Sequence, residues 1–177
     1  MNRQNDLDER LRSLREAFDG AFAAGEQAEL PEQLDFLTIR IAGDGYAVRL
    51  AEVQSLHADR KLIAAPSLVP ALLGVAGFRG VWTPIYDLAS LLGYAQQSAA
   101  KWLIVARHAA PIGFAFEVFD AHLRVDSARV SNAEVAAQGA VRGAVRAGGG
   151  AVPLLHLPSL IDEITRRIKA YGSTQER

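Results

Sequence analysis

The segment GVAGFRGVWTPIYDLASLL (residues 74–92) aligns without a gap onto GAVRAGGGAVPLLHLPSLI (143–161), at a constant offset of 69. Six of the nineteen aligned positions are identical: Gly74/Gly143, Gly80/Gly149, Pro84/Pro153, Leu88/Leu157, Ser90/Ser159 and Leu91/Leu160. Each copy reads as a strand, a glycine turn, a strand carrying one proline, and a short helix. Upstream, GYAVRLAEV (45–53) has a looser counterpart in PIGFAFEVF (111–119). The repeat predicts two similar half-domains of about 60 residues each, too small to bury a full core alone and therefore expected to share an interface.

The hydrophobic period supports a mainly β chain. Leu37, Ile39 and Ile41 alternate with Thr38 and Arg40, and Tyr46, Val48 and Leu50 return after a GDG turn at 43–45. Residues 51–56 either continue that strand or bend into a short helical turn. Further strands are expected near 75–79, 81–86, 102–107, 112–119, 122–126, 140–147 and 151–156. Two helices follow strands: 88–92, with Asp87 as N-cap and Gly93 as stop, and 158–170, with Arg166, Arg167 and Lys169 near its negative end. Many short strands with few helices point to small barrels or a sandwich, with the prolines suited to edge strands. At the N-terminus, Leu7, Leu11, Leu14, Phe18, Ala21 and Phe22 form one stripe of a helix over 6–24. The chain thus divides into an amphipathic helix and linker (1–33), a β body (34–172) and a short tail (173–177).

Composition removes several functions. A net charge of −1 argues against nucleic acid as the main partner, and the absence of cysteine removes disulfides and thiolate chemistry. The longest apolar run, LIAAPSLVPALLGVAGF (62–78), is too short and too broken by proline to span a bilayer, and the charged N-terminus has no signal-peptide core. A soluble, intracellular protein with no membrane insertion is expected. His57, His108, His122 and His156 show no metal-ligand spacing, and no serine sits in a nucleophile turn. AGGG at 147–150 leads into a strand rather than a helix, so it reads as a hairpin turn and not a phosphate cradle. No catalytic residue, metal or cofactor is expected.

Shared features of the repeat read as structural, so its differences are the place to look for function. Phe78 becomes Ala147, Arg79 becomes Gly148 and Asp87 becomes His156. The first copy alone carries a turn armed with an aromatic and an arginine, residue types enriched where proteins meet. Arg79 has two readings: it pairs with a carboxylate such as Asp87 and holds the fold, or it contributes to a binding surface.

The stretch GVAGFRGVWTPIYDL resembles the segment of CheW-like domains that runs roughly G-V-x-N-L-R-G-x-x-V-P-V-x-D-L. FLTIRIAGDGYAVRLAEVQSL (36–56), Pro66, PIGFAFEVFDAHLRV and the second repeat copy support the likeness, which covers about residues 35–168. The resemblance implies two five-stranded β-barrels packed side by side, with short helices, an N-terminal helical extension and a C-terminal helix. It implies a non-catalytic adaptor that couples chemoreceptor cytoplasmic hairpin tips to the regulatory domain of a CheA-type histidine autokinase, in the cytoplasm beside receptor arrays. Carried over by motif, Val53, Gln54, Gly74, Arg79 and Gly80 lie at or near the receptor-facing surface, with Phe78 where the family often has leucine. Three departures stand out. Gly77 replaces the common asparagine, Ser55 replaces a frequent glutamate that could pair with Arg79, and the helix over 6–24 has no counterpart in the minimal domain. That helix leaves open a second implication, a CheW-like scaffold docking through it to a partner outside chemotaxis.

Overall fold

A computed structural model describes residues 32–95, 100–131 and 139–172. The helix expected over 6–24, the linker and the tail lie outside the described residues. Eleven strands and two helices follow in order: β1 (Gln33–Ile41), β2 (Asp44–Arg49), β3 (Val53–Ala58), β4 (Leu72–Phe78), β5 (Val81–Asp87), α1 (Leu88–Leu91), β6 (Trp102–Ala106), β7 (Gly113–Phe116), β8 (Val118–Asp126), β9 (Val130–Ser131), β10 (Val141–Ala147), β11 (Gly150–Leu155) and α2 (Leu157–Gly172). Residues 51–56 combine both expectations: a 3₁₀ turn over Leu50–Glu52 leads into β3.

The strands form two sheets, ordered β8-β1-β2-β11-β10-β9 and β3-β6-β7-β5-β4. Among the described residues no ladder joins the outer strands of either sheet, so the mainly β class holds but the expected closure into barrels is not seen. The segment after β3 swings to the free flank of β4, where Ile63 and Val75 exchange both backbone hydrogen bonds. The first sheet also exceeds the expected five strands through the short β9.

The repeat holds residue by residue. Leu72 pairs with Tyr86 and Phe78 with Val81; at the offset of 69, Val141 pairs with Leu155 and Ala147 with Gly150. Both ladders slip at the same place, at Gly74 and Gly143, whose φ values are 145° and 141°. The looser likeness is also structural: Ile85 pairs in parallel with Gly113, and Leu154 in parallel with Ala47. The half-domains are nevertheless not consecutive pieces of chain. After β2 the chain crosses to the second sheet, and after β7 it crosses back, so each sheet takes two strands from the other repeat, β1 and β2 in the first and β6 and β7 in the second.

Alternation then sends successive residues to different cores. Phe36, Ala47 and Leu154 fill the interior of the first sheet, and Ile85, Leu103 and Ala115 that of the second. Their neighbours Leu37, Val48, Leu155, Tyr86, Ile104, Phe114 and Phe116 meet in a third, larger cluster shared by both sheets, with Leu157, Leu160 and Ile164 of α2. Strands buried on both faces explain near-continuous apolar runs such as GFAF in β7. Pro84 and Pro153 are expected on edge strands, but β5 and β11 are internal. Each proline instead sits just before its strand gains its parallel partner, at Ile85 and Leu154, where a missing N–H costs no ladder bond.

Gly74 is the tightest point of this frame. A Cβ there would stand 2.3 Å from the Ile63 carbonyl oxygen, which belongs to backbone and has little freedom to yield. Gly74→Ala is expected to cost about 2–4 kcal/mol in urea unfolding, from a clash added to an unfavourable φ.

Candidate functional site

Among the described residues, three hairpins are closed by two-residue turns in which both residues have positive φ. Ala42 and Gly43 have φ of 54° and 86°, Arg79 and Gly80 of 48° and 84°, and Gly148 and Gly149 of 56° and 90°. These are the turns whose twist matches that of the flanking strands, and they favour glycine, asparagine or aspartate at both positions. The first lies one residue earlier than the GDG reading placed it, because Ile41 pairs with Asp44. In the second, a long cationic side chain occupies a left-handed position at which the other repeat has glycine.

Arg79 is exposed, and its guanidinium makes no hydrogen bond or ion pair among the described residues. It does not pair with Asp87. That carboxylate is buried at the other end of β5, where it accepts hydrogen bonds from Ala89 N, Ser90 N and Ser90 Oγ and caps α1. The structural reading of Arg79 therefore has no partner to rest on.

The hairpin tip forms one wall of a cleft of about 530 Å³, opposite β3 and the loop after β6. Gln54, Phe78 and Arg79 line it, so three of the residues expected at the site come together there. Gly80 completes the turn beside them. Phe78 packs on the His57 ring with centroids 4.5 Å apart, and the Arg60 guanidinium lies over the Phe78 ring, 5.7 Å from its centroid. Burial, reinforced by Arg60 and Arg79, holds the His57 imidazole below its ordinary pKa. Ser55 supplies no charge; its Oγ lies 2.9 Å from His57 Nε2. Val81 lines the cleft with 50% of its surface exposed, and next to it Trp82 leaves 63% exposed. Large apolar groups this open beside an unpaired arginine are the composition of a contact surface.

Two expected residues are placed elsewhere. Val53, expected at the surface, is only 5% exposed and belongs to the shared core. The 3₁₀ turn resets the strand phase so that Val53 points inward and Gln54 outward. Gly74 is buried along β4 and serves the approach of Ile63. Sequence reasoning missed His57 and Arg60, because only the folding of β3 against the β4–β5 tip brings them to Phe78. No group of three or more metal-ligating side chains occurs among the described residues, and no described helix is long and apolar enough to cross a membrane.

The family model described as the CheW-like domain matches residues 35–165. No curated protein matches the chain. Among solved structures, the scaffolding protein TtCheW from Thermoanaerobacter tengcongensis is similar in fold, with a TM-score of 0.64 at 14% identity. That likeness covers 72% of this chain and 90% of the other.

Two substitutions separate frame from surface. Arg79→Gly should raise stability by about 1 kcal/mol, because glycine relieves the left-handed residue and no bond is lost. Val53→Glu should instead cost about 3 kcal/mol or more by burying an unpaired carboxylate. Urea unfolding of both variants reads the two effects.

Proposed function

Because the chain belongs to the CheW-like domain family, which its residues 35–165 match, we propose that it is a non-catalytic adaptor of bacterial chemosensory signalling, joining the cytoplasmic hairpin tips of chemoreceptors to the regulatory domain of a CheA-type histidine autokinase. The observation that carries this reading is the β4–β5 tip. It presents an arginine with no intramolecular partner among the described residues, held in a costly backbone conformation next to exposed Val81 and Trp82. A frame residue would earn nothing from that arrangement, whereas a contact residue gains a fixed direction.

As an adaptor the protein needs no chemistry. It needs contacts that differ between two signalling states of the receptor and a body stiff enough to pass the difference to the kinase. The double burial of β1, β2, β5, β6 and β7 supports such stiffness. Gln54, Phe78, Arg79 and Gly80 form the receptor-facing surface, with Gly74 and Val53 supporting it from beneath.

Titration calorimetry against the regulatory domain of the cognate kinase tests the role. Saturable binding by the full chain, and by a form lacking residues 1–30, is expected. Binding by neither folded form would overturn the adaptor reading, and loss on deletion alone would move the docking site to the N-terminal segment. For the receptor surface, Arg79→Gly should weaken binding of a receptor hairpin tip by about tenfold or more while the fold is retained.

A further inference from the structure

The cleft beside the hairpin tip carries an uncompensated charge. Arg60 and Arg79 line it together with His57 and His108, and none of its lining residues is aspartate or glutamate. Neither arginine has an ion-pair partner among the described residues. Ser55, beside His57 on the same strand, brings a hydroxyl and no charge. The walls between the cations are apolar: Phe78, Val81 and Val105.

An occupant that satisfies both halves of this lining is an anion borne on an apolar stem. A glutamate or aspartate side chain on a partner helix has that form. A phosphate, free or in a nucleic acid, would neutralise the cations but leave Phe78 and Val105 uncovered, and the net charge of −1 gives no wider attraction for a polyanion.

We propose that a carboxylate side chain of the receptor enters this cleft between Arg60, Arg79 and His57, and that docking draws a proton onto His57. The inference rests on the adaptor reading and assigns Arg60 and His57 to the site. The groups facing the imidazole are Arg60 after β3, Arg79 and Phe78 on the hairpin tip, and Ser55 on its own strand; β6 sets Leu103 opposite it, and His108 lines the same cleft. In the free protein burial and the cations of Arg60 and Arg79 disfavour the charged form of His57. A carboxylate placed among them reverses the local field and favours the imidazolium.

The sign of the pH effect follows. The His57 pKa is below its ordinary value in the free protein and rises when the carboxylate docks, so binding takes up a proton. Affinity therefore rises on acidification through the window between the two values and is lost as the pH rises through the value in the complex.

The experiment is titration calorimetry of the full chain with a receptor cytoplasmic hairpin tip, from about pH 6 to about pH 8, in two buffers of different ionisation enthalpy. Affinity should strengthen on acidification by up to about tenfold per pH unit, with net proton uptake. His57→Gln should flatten the profile, and Arg60→Gln should weaken binding throughout. NMR titration of the His57 ring, free and bound, reads the same event in the unmutated protein. Binding that is flat with pH and releases or takes up no proton would overturn the proposal while leaving the adaptor role standing. A His57→Gln profile as steep as the wild type would also overturn it. Absence of hairpin binding at every pH would remove the receptor contact itself.

Discussion

One apolar layer holds the two sheets to each other. Leu37, Ile39 and Val48 from the first sheet meet Ile104, Phe114 and Phe116 from the second, and α2 closes the layer with Leu157, Leu160 and Ile164. The layer exists because strands in both sheets are apolar on both faces, one face turned to the sheet's own interior and one to its neighbour. Two polar devices fix the crossing point between the sheets. Glu52, in the 3₁₀ turn after β2, accepts the Leu157 N–H at 2.8 Å and so caps α2 from a distant part of the chain. Arg107 donates to the carbonyls of Ala51 and Val53 at 3.1 and 3.3 Å. With strands exchanged at this point, the two halves have no separate cores to retreat to and should unfold as one unit.

The duplicated frame explains where function can be placed at little structural cost. Register, bulge glycine, turn geometry and helix cap recur in both copies, so these are the parts that the fold requires. The cap illustrates how much chemistry the frame tolerates: Asp87 in the first copy is replaced by His156, whose Nδ1 accepts from Ser159 N at 3.3 Å. The hairpin tip illustrates the opposite. Glycine at 148 suits the left-handed turn, and arginine at 79 does not, yet the turn is the same. The difference buys a directed cation rather than stability.

Much of this was legible in the residues. Alternation and turn glycines located the strands, and the offset of 69 was enough to predict equivalent ladders and a shared interface. Phe78 and Arg79 stood out because the second copy lacks them. What failed has physical causes. The β1–β2 turn was misplaced because alanine in the left-handed region leaves no sequence signal. Val53 was put at the surface because strand phase cannot be counted across a 3₁₀ turn. The prolines were assigned to edges because the parallel pairing of β5 with β7, and of β11 with β2, joins segments far apart in sequence. The same limit hid the strand exchange and concealed His57 and Arg60, whose meeting with Phe78 exists only after β3 reaches the hairpin tip.

In the proposed adaptor role the β4–β5 tip and β3 meet the receptor, and their counterparts in the other sheet do not. Amide hydrogen exchange of the protein with and without a receptor hairpin tip tests it most directly, since the duplicated β10–β11 tip serves as an internal control. New protection is expected at residues 54–57 and 78–82, with none at 147–151. Equal protection at both tips, or protection confined to the β10–β11 tip, would contradict it.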